Sequence, residues 1–217
     1  FSGPRLQIHY DGDLPAQSGT GSSAAFTVGL LHGLYAIKGR MVSKRQLASD
    51  AITVDRDMTG EKVGFQDQCA AAFGGLNLIT FGHDLHSFNV SRLPLGNGAL
   101  YQLQNHLMLF YTKQQRTASN VETAKWRKPN YDALAEQFKL TNECLTVLNN
   151  ADMKGLASIL DRSWEFKKAM AAEVTNDAID SYYRKALMAG AWGGKITGAG
   201  GGGCLLLVVP PARQAPV

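Results

Sequence analysis

The chain has 217 residues, of which 45% are hydrophobic and 18% charged, with a net charge of +4 and a sequence pI of about 9.0. That length supports one large domain or two small ones around a real core, and no apolar run approaches the roughly 18 residues a bilayer span requires. The basic excess is modest and scattered; it suits anionic small molecules such as nucleotides and sugar phosphates, fits chance composition equally well, and gives little support for nucleic acid as a partner.

The absence of a secretory signal pattern leads to the expectation of a cytoplasmic protein without membrane attachment. The chain opens at Phe1, without methionine and within what reads as structure, so it is expected to be a fragment. Cys69, Cys144 and Cys204 are far apart in apolar company with no metal-ligand spacing, which reads as reduced, packed thiols. Asn89-Val90-Ser91 fits a glycosylation sequon, a match without weight in a cytoplasmic protein.

In chain order, LQIHYDGDLP alternates as a half-buried strand does. GSSAAFTVGLLHGLYAIKG then reads as a helix capped by Ser22 or Ser23 and ended by Gly39; Ala24, Val28, Leu31 and Tyr35 follow helical spacing. It is apolar nearly all round, so burial on most sides is expected. A second helix, capped by Ser43, covers SKRQLASDAITVDRDM. A loop and short helix in TGEKVGFQDQCAAAFGG lead to the strand LNLITF, a hairpin around Gly82 to Asp84 and the strand SFNVSRL.

LPLGNG then marks a candidate boundary between domains at 1–98 and 99–217. Beyond it come the strand LMLFYT and helices near Ser119 to Arg127, Tyr131 to Asn149, Lys154 to Ala172 and Ala178 to Gly190. Leu134, Phe138, Leu145 and Leu148 make a core-facing stripe on one helix; Leu156, Ile159, Leu160, Trp164 and Met170 do so on the next. A glycine-rich turn feeds a final apolar strand in GGKITGAGGGGCLLLVVP. The mixed order, with antiparallel hairpins, makes the fold class α+β.

Three stretches carry chemistry. In PAQSGTGSSAA, Gly19, Thr20, Gly21, Ser22, Ser23 and Ala24 stand where a helix begins. Unpaired amides and the helix dipole make such an end an anion site, and glycine lets a phosphate approach the backbone. The alternative is a tight helix start. The dinucleotide pattern GxGxxA fits these residues only loosely, because no strand runs straight into Gly19, and a Walker P-loop fails for want of Gly-Lys-Ser/Thr. In GFQDQCAAAFGG, Asp67 can accept a hydroxyl proton or hold a cation, or simply cap a helix. In KITGAGGGGC the density of glycine exceeds what a turn needs, which points to backbone packed closely against a ligand or another loop.

Together and in this order the three stretches resemble the GHMP kinases, the superfamily of galactokinase, homoserine kinase, mevalonate kinase and phosphomevalonate kinase. PAQSGTGSSAA is similar to the family's phosphate-binding motif PxxxGLGSSAA, with Thr20 where leucine is commoner, and KITGAGGGGC to its C-terminal glycine motif. The resemblance implies an N-terminal domain like ribosomal protein S5 domain 2 and a ferredoxin-like C-terminal domain. It implies ATP with its phosphates on Gly19 to Ala24, Mg²⁺ held by Ser23 (with Ser22 assisting) and Asp55, and Asp67 as catalytic base or orienter of the attacking hydroxyl. One carboxylate, one hydroxyl and the phosphates suffice for Mg²⁺, and one placed carboxylate for the transfer. Thr197, Gly198, Ala199, Gly200, Gly201 and Gly202 would close the pocket.

Within the superfamily, EKVGFQDQCAAAFGGLNLITF, YTKQQRTASNV and WGGKITGAGGGG resemble the D-glycero-D-manno-heptose 7-phosphate kinases, which phosphorylate an anomeric hydroxyl with ATP for lipopolysaccharide, capsule or S-layer sugars. Arg116 and Lys195 are candidates to meet an anionic substrate, or to form surface salt bridges. The implied partners are a sugar phosphate and ATP; a homodimer stays open. The family's first glycine-rich motif and sugar-reading residues would precede Phe1, so these residues alone are expected to make a poor kinase. Alternatives are an L-fucose, galactose or mevalonate-type kinase, and a nucleotide-binding homologue without turnover.

Overall fold

The computed structural model describes residues 6–13, 18–60, 64–83, 87–114 and 118–217. The first half of the chain gathers three helices beside a two-stranded sheet. Helix α1 (Ser22–Ile37) ends where Gly39, at φ 65°, lets Arg40 N–H return to Tyr35 O at 2.9 Å. Helix α2 (Lys44–Thr53) starts on Ser43, whose hydroxyl accepts from Gln46 N–H at 3.1 Å as its sequence position foretells. It runs into a π-helical turn, Val54–Met58, before helix α3 (Gln66–Phe73) stops at Gly74. Strands β1 (Asn77–Phe81) and β2 (Phe88–Arg92) pair antiparallel with Ile79 opposite Val90. Ala48, Ile52, Cys69 and Phe88 form one core; Val28, Leu47 and Ala51 tie α1 to α2.

The second half is a helix-backed sheet. Helix α4 (Asn97–His106) leads into β3 (Leu107–Tyr111). Helices α5 (Ala118–Arg127), α6 (Tyr131–Asn149), α7 (Met153–Lys168) and α8 (Asp177–Ala189) follow, then β4 (Gly193–Ile196) and β5 (Cys204–Val208). The sheet order is β3-β5-β4, antiparallel throughout. Asn130, Asp152 and Asn176 cap α6, α7 and α8 through their side chains. Central β5 shows the twofold alternation of a strand buried on both faces. Leu205 and Leu207 join Trp164, Ile179, Tyr183 and Ile196, while Val208 joins Leu148, Met153 and Leu156 across the sheet. Helix α7 lies directly on β4 at Gly193, where a Cβ would sit 2.6 Å from Ala157 O.

Several expectations change. Residues 6–13 form no strand; among the described residues nothing pairs with them, and a strand needs a partner ladder. Helix α4 was hidden behind the turn residues that open it. Helix α1 is not buried on most sides, since Phe26 and Ile37 are exposed. On α6 the buried residues are Ala133, Leu140 and Leu148, whereas Leu134 and Phe138 face outward. Of the hairpin connection, Gly82 N–H donates to Ser87 O at 2.6 Å, and 84–86 lies outside the described residues. No described helix is long and apolar enough to cross a membrane.

Candidate functional site

The opening of α1 differs from the expected hydroxyl cap. Its N-cap is Gly21 at φ 72°, and no side chain caps the helix; Ser22 is half-buried and Ser23 exposed. The first intrahelical bond is Ala25 N–H to Gly21 O at 2.9 Å, so the amides of Ser22, Ser23 and Ala24 have no intrahelical acceptor and lie at the positive end of the dipole. The loop before them is held from below: Ser18 is fully buried and shares a hydrogen bond with the Thr20 hydroxyl at 2.8 Å. Residues 14–17, including Pro15, lie outside the described residues, as does Arg116.

Asp67 stands against this helix end. A Cβ at Gly21 would lie 3.4 Å from Asp67 Cγ. The aspartate is in the first turn of α3, but Phe65 occupies the N-cap, so Asp67 is not the capping residue. Among the described residues its carboxylate makes no hydrogen bond or ion pair. Its surroundings push the carboxyl above the ordinary aspartate range by desolvation, although part of the side chain still meets solvent. An unpartnered carboxylate of raised basicity, beside a row of open amides, can take a hydroxyl proton next to a bound anion.

Asp55 is built differently. It lies in the π-helical turn, is 4% exposed, and accepts at both oxygens: from Thr27 Oγ1 at 2.8 Å and from Gln68 Nε2 at 2.6 Å. Thr27 is one helical turn beyond Ser23, which puts the two hydroxyls on one face of α1. Gln68 Oε1 is buried and meets no donor. Asp55 and the orphaned Gln68 Oε1, with the Ser23 hydroxyl one helical turn before Thr27, offer only oxygen atoms, the donor type a hard divalent cation prefers. The described residues contain no cluster of three His, Cys, Asp or Glu side chains, so such a cation would complete its shell from phosphate and water.

The C-terminal glycine stretch packs on the first. A Cβ at Gly19 would stand 3.1 Å from Thr197 Oγ1, and one at Gly198 would stand 3.2 Å from Gly19 Cα. Thr197 itself is held by Cys204 O, accepting its N–H at 2.9 Å and its hydroxyl at 3.1 Å. Further along, Gly201 N–H donates to Val174 O and Gly203 N–H to Gln114 O. The glycines from 200 onward therefore face protein backbone; Thr197, Gly198 and Gly203 are the part that abuts the phosphate loop, Gly203 against Ser18 O. Ala199 packs against the hydrophobic core. Lys195 is neither at a surface salt bridge nor beside Gly21: it projects to α7, its amine 3.0 Å from Ser163 Oγ.

Thr27, Gln68 and Lys167 escaped the sequence reading. Thr27 carried a legible signal, a hydroxyl on the buried face of an apolar helix, and so did Lys167, a lysine at a core-facing position of α7 whose amine donates to Gly198 O. Gln68 carried none.

Comparison with known proteins places this geometry in a family. The chain matches the GHMP kinases N terminal domain over residues 1–75 and the GHMP kinases C terminal domain over residues 144–217, together more than half of its length. It is 30% identical over 213 residues to a D-glycero-alpha-D-manno-heptose 7-phosphate kinase of Campylobacter jejuni, covering 96% of this chain and 62% of that protein. The solved structure of a D-glycero-D-manno-heptose 1-phosphate kinase from Bacteroides thetaiotaomicron superposes with a TM-score of 0.73 at 28% identity, over 94% of this chain and 56% of that one. A Streptococcus pneumoniae phosphomevalonate kinase shares the fold at 15% identity and a TM-score of 0.74, over 90% of this chain and 63% of that one. The chain thus spans about three fifths of the length of these relatives. With an uncapped helix start, an adjacent free aspartate and both terminal family domains present in order, the chain belongs to the GHMP kinases.

Proposed function

We propose that this protein transfers the terminal phosphoryl group of ATP to the anomeric hydroxyl of D-glycero-D-manno-heptose 7-phosphate. The observation that carries the reading is the Asp67 carboxylate against Gly21, without a partner among the described residues, at the uncapped start of α1. The amides of Ser22 to Ala24 bind the nucleotide's phosphate oxygens, and their dipole stabilises the charge that grows there during transfer. Asp67 accepts the proton of the sugar hydroxyl as the new O–P bond forms, and the nucleoside diphosphate departs with the bonding pair of the broken P–O bond. Asp55, Ser23 and Gln68 would hold Mg²⁺, which supplies charge neutralisation for the phosphates when bound; Thr27 orients Asp55 for that task. Thr197 and Gly198 brace the loop from behind.

Heptose phosphate specificity is supported by the names of the two relatives at 28–30% identity. We further place the boundary of the two domains at 98/99, and a cytoplasmic location agrees with a soluble-metabolite substrate. The test is ATP consumption with heptose 7-phosphate, L-fucose, galactose and mevalonate, with Asp67→Asn as control. Turnover of the heptose phosphate alone, lost in the variant, is expected. Turnover of another acceptor would reassign the substrate, and nucleotide binding without any turnover would leave a non-catalytic homologue.

A further inference from the structure

A second polar feature is left unused by the phosphate loop and Asp67. Helices α5, α6 and α7, with Pro129 and Asn130 between the first two, line a half-open pocket of about 170 Å³. Lys125 and Lys167 line it from opposite helices, and Trp126, Leu134 and Met170 supply apolar wall. Lys167 is 7% exposed, and its amine reaches Gly198 O. Behind it, Lys195 on β4 holds Ser163 Oγ, and its charge is felt by Lys167. The acid that faces these amines, Glu122, is bonded to Lys125 at 2.7 Å. Three amines against one carboxylate leave two amines, those of Lys167 and Lys195, without a carboxylate partner among the described residues, in a setting where unpaired charge is costly.

The size of the cavity narrows the occupant. It lies below the roughly 300–1,000 Å³ of sites that enclose a whole small-molecule ligand, but it has room for one tetrahedral anion. A phosphate group carries about −1.5 to −2 charges near neutral pH and accepts several strong hydrogen bonds. Its several acceptor oxygens suit two amine donors at once, and its charge favours the ammonium form of both.

We propose that this cavity is a phosphate-group site, with the Lys125 and Lys167 amines as donors and the Lys195 charge behind them. An ammonium has three N–H groups, so Lys167 can hold the anion while keeping Gly198 O. Gly198 in turn abuts Gly19, so occupancy of the cavity bears on the backbone of the phosphate loop. Burial, reinforced by Lys195 and Lys125 and opposed by Glu122, pushes the free Lys167 amine down to about 7. A bound dianion reverses that shift, so binding near neutral pH takes up a proton. The group arrives either as inorganic phosphate or as the terminal phosphate of a phosphorylated acceptor; only the second source rests on the proposed function.

The test is calorimetric titration of inorganic phosphate into the full chain near neutral pH, in buffers of different ionisation enthalpy. Saturable binding with proton uptake is expected, weakened about tenfold or more by Lys125→Gln and by Lys167→Met. No saturable binding, or binding unchanged in a variant that keeps the native melting curve, overturns the site. Should Lys167→Met fail to fold, Lys125→Gln, which keeps a polar donor at the half-buried position beside Glu122, decides by itself. Displacement of phosphate by heptose 7-phosphate assigns the acceptor as the source, and retention of phosphate in its presence assigns the free ion. ATP consumption is read separately, so a failed kinase reading and a failed phosphate site remain distinguishable.

Discussion

The two glycine-rich stretches look alike in the sequence and do opposite things in the fold. Gly19 and Gly21 sit at φ 74° and 72°, and beyond Gly21 the helix amides are open with Asp67 alongside. Gly202 and Gly203 are buried, and side chains there would collide with the carbonyls of Gln114 and Ser18. In the first stretch Gly19 packs against Thr197 while Gly21 leaves the room that the proposed phosphate site requires; in the second, glycine lets three loops share one crowded space. The same low side-chain volume serves recognition where one side is solvent and packing where both sides are protein.

That contrast can be broken by substitution. The largest expected effect is on the open side: Asp67→Asn should lower kcat roughly 10²–10⁴-fold with little change in nucleotide affinity or melting temperature, and steady-state kinetics beside a thermal melt checks both. On the closed side, Gly202→Val should destabilise the fold by about 3 kcal/mol through overpacking against Gln114, read as a fall in the denaturant midpoint. Gly21→Val should separate the regions cleanly. Its positive φ costs about 1–3 kcal/mol, but its Cβ meets only ordinary contact with Asp67, so the protein should stay folded and lose ATP binding. Unchanged ATP affinity in that variant would show that the α1 start is not the phosphate site.

The smallest effect is on pH. Asp67 must be ionised to accept a proton, and desolvation raises its pKa, so the acid limb of kcat/KM should lie above the ~3.9 of an ordinary aspartate. The stability sign is the reverse of a salt-bridged acid: the folded state holds this proton more tightly, so its contribution is present at low pH and is lost as pH rises from the unfolded pKa through the folded one. Asp67→Asn should flatten that part of the stability profile, as denaturant titrations across the acid range would show.

Legibility in the sequence followed the range of the interaction. Ser43, Asn130, Asp152 and Asn176 cap helices through bonds to residues three positions away, and such local chemistry can be read from neighbours alone. The stripe on α7 was legible for the same reason: Leu156, Ile159 and Trp164 are buried, and the helix packs against β4 and β5. On α6 the same spacing was only partly right: Leu148 of the apolar stripe is buried against Met153 and Leu156 of α7, whereas Leu134 and Phe138 are exposed and Ala133 and Leu140 are buried instead. The alternating residues 6–13 likewise pair with no strand among the described residues.

At the site, the sequence by itself determined the order of the three motifs, the glycine backbone of the α1 start and the presence of Asp55 and Asp67, because these depend on residue type and short spacing. Tertiary structure alone decided that α1 is left uncapped, that Asp67 of α3 meets Gly21, and that Thr27 and Gln68 converge on Asp55 from 28 and 13 residues away. It also decided that most of the C-terminal glycines face backbone and that Lys167 lies beneath Gly198. Hydrogen bonds and close packing act over a few ångströms, and which distant residues come that close is a property of how the helices and sheets are stacked.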